Sequence, residues 1–578
     1  MDNKILDKAK QWADNKAFDQ GFRDEISQLI ETNDEAELTD RFYKDLEFGT
    51  GGMRGIIGAG SNRMNIYTVR LATQGLANYI LATVDNKYQK PIVAIAYDSR
   101  NFSKEFSQEA ACVLSANDIE VYVYSNLRPT PMLSYAVRQL KATAGIVITA
   151  SHNPAEYNGY KAYWNDGCQV TPPHDVGIIE KINEIKSFDE IKYFDFQSAI
   201  NKKLVQYIDL ELEMQYYDEV CTLSMADKQQ NENFGVVFTP LHGTGNIPVR
   251  AVLKKRGFHK VSVVREQEMP DGNFPTVEYP NPEEVSALNL AIKAAGSDDH
   301  LIIATDPDAD RIGVMVKHQN QWQKLNGNQI GQLLLDYYLR KLKEKNRLPA
   351  DGVYATTIVT STLGQKIADS YQIKSFEVLT GFKYICGITR ELEENKSGSF
   401  IFGTEESHGY VFDTFVRDKD AVMAAMIFAE LCAELSASGK TTIDRLEELH
   451  QQFGYHQDAL INKVIKGKSG AEKIKEIMKY LRENPLKSIA GVNVKIIKDY
   501  QKGEIIDCQT GNSIDTIDLP DSNVLAYYLE DGSRITARPS GTEPKIKFYF
   551  NLCGATKELL QNTQEKYKTD LMNIIDSI

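Results

Sequence analysis

Ile92-Val93-Ala94-Ile95-Ala96-Tyr97 is a short unbroken apolar run, the pattern of a strand buried on both faces of a parallel sheet. A helical segment follows at 102–114, then strand 119–124, helix 131–140 and strand 145–149. This alternation predicts βαβ units. It recurs in strand 236–238, a helix near 247–256, strand 261–264, a helix near 282–295 and strand 301–304. A third round covers helix 328–345, strand 353–359, helix 363–372 and strands 375–379 and 399–402.

The ends of the chain read differently. Residues 1–45 have the spacing of amphipathic helix, including a segment at 26–38, and lead into the glycine-dense stretch 47–55. At the other end, 524–528, 534–537 and 546–550 read as strands with a hairpin turn at Asp531-Gly532, and 556–577 as a closing helix. That predicts an α+β domain with antiparallel pairing. A chain of 578 residues is too long for one core. Four domains are expected: 1–205, 206–320, 321–455 and 456–578.

Composition narrows the function. Apolar residues make up 42% and charged residues 25%, ordinary for a globular protein. A formal net charge of −14 argues against nucleic acid or an anionic membrane as partner. No apolar run is long enough for a membrane span, and the opening Met1-Asp2-Asn3-Lys4 is not signal-like. Seven scattered cysteines without a Cys-x-x-Cys pair suit a reducing cytoplasm.

Four constellations carry chemistry. Thr149-Ala150-Ser151-His152-Asn153-Pro154 follows a strand, where α/β sheets place their ligands. Its serine can accept a phosphoryl group beside a cation; a plain turn ended by proline fits as well. Asp306-Pro307-Asp308-Ala309-Asp310-Arg311 presents three alternating carboxylates, the oxygen donors that Mg²⁺ prefers. A calcium EF-hand loop begins similarly but needs glycine and glutamate where Arg311 and Lys317 stand. Arg311 suits an anion next to the metal. Gly403-Thr404-Glu405-Glu406-Ser407-His408-Gly409 can accept hydrogen bonds from sugar hydroxyls, or can open a helix. Arg538-Pro539-Ser540-Gly541-Thr542-Glu543-Pro544 can cradle a phosphate or form a simple turn. Arg54, Lys161 and Lys383 are further basic candidates, and His242 reads as a satisfied core histidine.

Together these stretches resemble the α-D-phosphohexomutase superfamily, one motif per domain in the family's order. The region 42–54 is most similar to the phosphoglucomutase branch, which also contains phosphopentomutases and a hexose-bisphosphate synthase. The resemblance implies three similar mixed parallel α/β domains and a C-terminal α+β domain around a central cleft. It implies phosphorylation of Ser151, with Asp306, Asp308 and Asp310 holding Mg²⁺ together with that residue. Arg54, Lys161 and His152 would flank the transfer. Lys161 would carry a proton, as a base if burial and the neighbouring Arg54 lower its pKa. Arg311, Lys383, Glu405, Ser407, Arg538, Ser540, Gly541 and Thr542 would contact substrate. The implied reaction interconverts glucose 1-phosphate and glucose 6-phosphate through glucose 1,6-bisphosphate, which also serves as activator. Pentose or mannose phosphates, or release of the bisphosphate, are the alternatives. A monomer or weak dimer acting on a small sugar phosphate is expected. Thr404 and His408 depart from the glucose-specific pattern and bear on which sugar fits.

Overall fold

The computed structural model describes residues 3–49, 51–84, 90–465, 468–540 and 545–578. The chain divides into two compact units. The first comprises Met1–Leu325, Cys386–Lys396 and His408–Gly439; the second comprises Asn326–Ile385, Ser397–Ser407 and Lys440–Ile578.

The first unit opens with three helices, Asn3–Asp14, Gln20–Glu31 and Glu35–Phe42. The segment expected as helix 26–38 is therefore broken. Asn33 turns to φ +50°, and the Asp34 side chain caps the next helix by accepting from the Glu37 N–H at 3.1 Å. The buried faces of these helices meet at Ala9, Ile26, Leu38 and Phe42.

Next comes a mixed sheet. Its order is Gly52–Ile56, Tyr157–Trp164, Ala144–Ile148, Ile92–Tyr97, Glu120–Val123 and Val205–Tyr207. The apolar runs form the parallel centre, as their two-sided burial requires. Gly52–Ile56 and Tyr157–Trp164 add antiparallel strands that the sequence reading did not assign.

A second sheet in the same unit runs Gln321–Lys324, Ile312–His318, Asp299–Thr305, Gly235–Thr239 and Lys260–Val263. It also mixes parallel and antiparallel pairs. The helix Ala421–Ala437 packs against its strands Asp299–Thr305 and Ile312–His318 and against helix Asn246–Lys255. This helix is buried nearly all round, so it shows no amphipathic period to read. That part of the chain clusters with the first unit. No single helix among the described residues is long and apolar enough to cross a membrane.

In the second unit, Lys374–Val378, Gly352–Thr357 and Ser399–Glu405 pair in parallel. The C-terminal sheet is antiparallel. It runs through Tyr455–Val464, Lys545–Gly554, Arg534–Pro539, Leu525–Leu529, Val492–Asp499, Glu504–Asp507 and Ser513–Thr516. The Asp531-Gly532 turn forms as read, with Gly532 at φ +85°. Arg534, 1% exposed, fastens this sheet to the parallel one. It donates to Glu377 at 2.5 Å, to the Thr360 carbonyl, and to Asn551 at 3.1 Å. Helix Lys557–Asp576 covers strands Tyr455–Val464 and Lys545–Gly554.

Candidate active site

The serine loop leaves the sheet at the end of strand Ala144–Ile148. Ser151 is 3% exposed and sits at φ +53°, a left-handed conformation that costs a non-glycine residue about 1–2 kcal/mol. Its N–H donates to Thr149 Oγ1 at 2.8 Å, and its hydroxyl donates to Asp306 Oδ2 at 2.7 Å. His152 Nδ1 lies 3.1 Å from the same hydroxyl. Gly159 backs the loop: a Cβ there would come within 2.5 Å of the Thr149 carbonyl, so only glycine lets the two strands approach.

The acidic loop follows strand Asp299–Thr305, with Ala309 at φ +48° closing its turn. Asp306 Oδ1 accepts the N–H groups of Asp310 and Arg311, both at 3.1 Å. Asp308 Oδ2 accepts from Lys161 at 2.9 Å and Thr130 at 2.8 Å. Asp310 Oδ2 lies 3.6 Å from Lys161 Nζ and 3.2 Å from Lys419 Nζ. All three aspartates are buried, with carboxylate oxygens close enough together to share one cation. Among the described residues, Asp308 Oδ1 and Asp310 Oδ1 are buried without a hydrogen-bond partner, the latter 3.8 Å from Arg311 Nε. Unpaired buried carboxylate oxygens are costly in an apolar setting. A hard cation with oxygen ligands fits this donor set.

The charges set the titration. Burial, and then the Asp310 and Asp308 charges, push the Asp306 carboxyl well above its ordinary range. Burial also raises Asp308, but the Lys161 ammonium outweighs it and holds the net value low. At Lys161, burial pulls the pKa down, yet Asp308 and Asp310 prevail and raise it. The Arg54 guanidinium donates to Asn153 Oδ1 at 3.1 Å. Burial, then the Arg311 and Arg54 charges, hold His152 well below its ordinary value, so its imidazole is neutral. Arg311 pairs with Glu283 at 2.6 Å.

The first unit thus brings together Ser151, His152, Arg54, Lys161, Asp306, Asp308, Asp310 and Arg311. Sequence reasoning missed Thr130, Lys419 and Asp418. Lys419 is placed through its neighbour Asp418, which accepts from the Tyr163 hydroxyl at 2.5 Å. No local motif marks these residues.

In the second unit, Glu405 ends strand Ser399–Glu405 and is 7% exposed. No helix begins at the acid pair, so the helix-opening alternative fails. Glu406 accepts from Thr357 at 3.2 Å and Thr360 at 3.3 Å. Burial, and then the Glu405 charge, push Glu406 up to about 7; Arg538 pulls the other way. Arg538 ends the ladder opposite Lys547, and the Ser540 N–H donates to the Lys545 carbonyl at 2.8 Å. Lys383 lies at the start of helix Phe382–Asn395, its ammonium 5.4 Å from the Tyr384 ring centre. Gly541 and Thr542 lie outside the described residues. His242 is a core histidine as read, bonded to the Met269 carbonyl at 3.1 Å and Thr276 at 2.9 Å.

The chain belongs to the phosphoglucomutase/phosphomannomutase family: its alpha/beta/alpha domains I, II and III match residues 45–189, 214–320 and 326–453, and its C-terminal domain matches 462–566. The four-domain architecture follows, three α/β/α domains and one antiparallel β-rich domain. The phosphoglucomutase of Staphylococcus saprophyticus is 37% identical over 529 residues, 91% of this chain and 94% of that protein. The phosphoglucomutase of Staphylococcus haemolyticus is 38% identical over 517 residues, 88% of this chain and 91% of that protein. The open form of the Paramecium phosphoglucomutase pp63/parafusin shares the fold, with a TM-score of 0.66 at 20% identity, over 92% of this chain and 94% of that one.

Proposed function

We propose that this chain interconverts glucose 1-phosphate and glucose 6-phosphate through phospho-Ser151 and a glucose 1,6-bisphosphate intermediate. The observation that carries this reading is the Ser151 hydroxyl, buried and 2.7 Å from Asp306 in the carboxylate cluster. Identity to enzymes named phosphoglucomutase supports the choice of sugar.

In this reading Ser151 carries the phosphoryl group, and Arg54 and Arg311 face its oxygens. Asp306, Asp308 and Asp310 would hold Mg²⁺ together with Ser151; bound there, the ion offsets negative charge on the transferring group. Lys161 stays protonated between Asp308 and Asp310, so it serves as a cation or acid rather than as a resting base. His152, neutral, orients the serine hydroxyl. Glu405 and Ser407 grip sugar hydroxyls, with Lys383 an additional contact. Arg538 and Ser540, continued by Gly541 and Thr542, bind the phosphate that is not reacting. Most of the barrier reduction comes from positioning and electrostatics. Domains near 1–205, 206–320, 321–455 and 456–578 suit this division of labour. None of the seven cysteines forms a disulfide, which supports a cytoplasmic setting.

The test is direct. The purified protein is given glucose 1-phosphate, Mg²⁺ and catalytic glucose 1,6-bisphosphate, and glucose 6-phosphate is quantified. Peptide mapping should place one phosphoryl group on Ser151. Absence of conversion, or a phosphoryl group elsewhere, would sink the reading.

A further inference from the structure

Arg100 has no role in the chemistry described so far, yet it is bonded to the backbone that carries the serine. It lies in the loop after strand Ile92–Tyr97 and is 3% exposed. Its Nη1 donates to the carbonyls of Pro154 at 2.7 Å and Tyr157 at 3.1 Å. Its Nη2 donates to the carbonyls of Ser151 at 2.5 Å and Asn153. The two terminal nitrogens of a guanidinium carry four N–H bonds. All four are directed at main-chain oxygens of one loop.

The charge is anchored on two other sides. Asp98 Oδ2 stands 3.4 Å from Arg100 Nε, and both side chains are fully buried. Asp98 is itself fixed by the Arg100 N–H at 2.9 Å and the Ser103 hydroxyl at 2.7 Å. The Phe274 ring, 1% exposed, lies 5.0 Å from the guanidinium carbon. A planar fork bonded on its edge and stacked on its face has little freedom.

We propose that Arg100 is a positioning residue for phosphoryl transfer, holding the 151–157 loop in the shape that presents Ser151. The loop runs through a left-handed Ser151 and has little regular backbone pairing of its own. Without the guanidinium, four buried or half-buried carbonyls would lose their shared donor. Those carbonyl dipoles would then be free to turn toward the anionic phosphoryl group and repel it. Lysine cannot substitute, because its three donors radiate from one point and do not span two pairs of oxygens.

This inference rests on Ser151 as the phosphoryl carrier, and the experiment separates the two. Parent, Ser151→Ala and Arg100→Lys proteins are incubated with glucose 1,6-bisphosphate, and phosphoserine formation is followed by intact mass. Steady-state kcat and KM are measured in parallel. The parent should gain one phosphoryl group and Ser151→Ala none. Arg100→Lys should acquire it slowly and show kcat lower by on the order of 100-fold, the scale of a 1 Å misplacement, with KM within about threefold. Phe274→Leu keeps the arginine but removes the ring beneath it; kcat should fall about threefold to tenfold at unchanged KM. It stands in if Arg100→Lys does not fold. A parent that never becomes phosphorylated on Ser151 defeats both readings. A phosphorylated parent beside a folded Arg100→Lys, or failing that a folded Phe274→Leu, with parental kcat and parental phosphorylation rate overturns the role of Arg100 alone.

Discussion

Ser151 Oγ donates to Asp306 Oδ2 at 2.7 Å although the two residues stand 155 positions apart in the chain. The bond ties the nucleophile candidate of one sheet to the acidic loop of the next. Replacing Ser151 with alanine should abolish nearly all turnover and leave substrate binding in place, as read by calorimetry with the dead enzyme. Retention of activity within about tenfold of the parent, roughly 1.4 kcal/mol of barrier, would remove Ser151 from the covalent role.

The metal reading has a test at Thr130, which bonds to Asp308. Thr130 donates to Asp308 Oδ2 at 2.8 Å, and its N–H donates to the Asp308 carbonyl at 2.9 Å. Such supporting bonds orient a metal ligand and are each worth about tenfold to a hundredfold in metal affinity. Thr130→Val should therefore weaken Mg²⁺ binding by about tenfold, and Asp308→Asn by more. Both are measured by titration calorimetry on chelator-treated protein. Unchanged Mg²⁺ affinity in Asp308→Asn would place the ion elsewhere.

Much of this site could be read from the chain before any coordinates. The Thr149–Pro154 and Asp306–Arg311 stretches each follow an apolar strand, and strand ends of α/β sheets are where ligands bind. Arg100 stands in the same kind of position, three residues past Ile92–Tyr97, but one arginine in a loop makes no motif. Lys419 was not legible at all. It reaches Asp310 because the segment before helix Ala421–Ala437 is held by Tyr163 and by the Asp420 cap, and tertiary contacts of this kind leave no local pattern. The charge environment of Lys161 is hidden from the sequence for a related reason. Burial was inferable, but Asp308 and Asp310 facing the ammonium were not.

Asp420 offers a pH test of stability. It is 0% exposed, caps helix Ala421–Ala437 through the N–H groups of Val422 and Met423, and accepts from Tyr216 at 2.7 Å. Burial dominates these bonds and pushes its carboxyl up to about 6. Between about pH 4 and 6 the folded protein keeps this proton while the unfolded chain has released it, so stability falls as pH rises through that window. The full contribution is at most about 3 kcal/mol. Asp420→Asn keeps an acceptor oxygen but does not titrate. Its stability relative to the parent should therefore improve from pH 4 to pH 7, as read from denaturant midpoints of the transition involving the first unit. A difference independent of pH would show that Asp420 titrates normally.

The second unit carries the two adjacent carboxyls proposed to meet the sugar, Glu405 and Glu406. Glu406 has the Thr357 and Thr360 hydroxyls as donors and is pushed up to about 7, by burial and then by the Glu405 charge. Glu405, at the end of its strand, is the better candidate for an acceptor of sugar hydroxyls. An epimer that misplaces such a hydroxyl leaves a buried carboxylate poorly paired, an error of about 1–3 kcal/mol. Glucose 1-phosphate should therefore have the highest kcat/KM under saturating bisphosphate. Mannose 1-phosphate, epimeric at C2, should be about tenfold to a hundredfold slower if C2 meets this loop. Ribose 1-phosphate lacks one carbon and should be turned over poorly, because the Arg538 loop would still take its phosphate while part of the sugar subsite stays wet. Glu405→Gln should lower kcat/KM for glucose 1-phosphate by about tenfold to a hundredfold, whereas Glu406→Gln should cost less, since Glu406 is already partly protonated near neutral pH. If ribose 1-phosphate outperforms glucose 1-phosphate, the enzyme is a pentose phosphate mutase, and the Ser151 and carboxylate arguments stand unchanged.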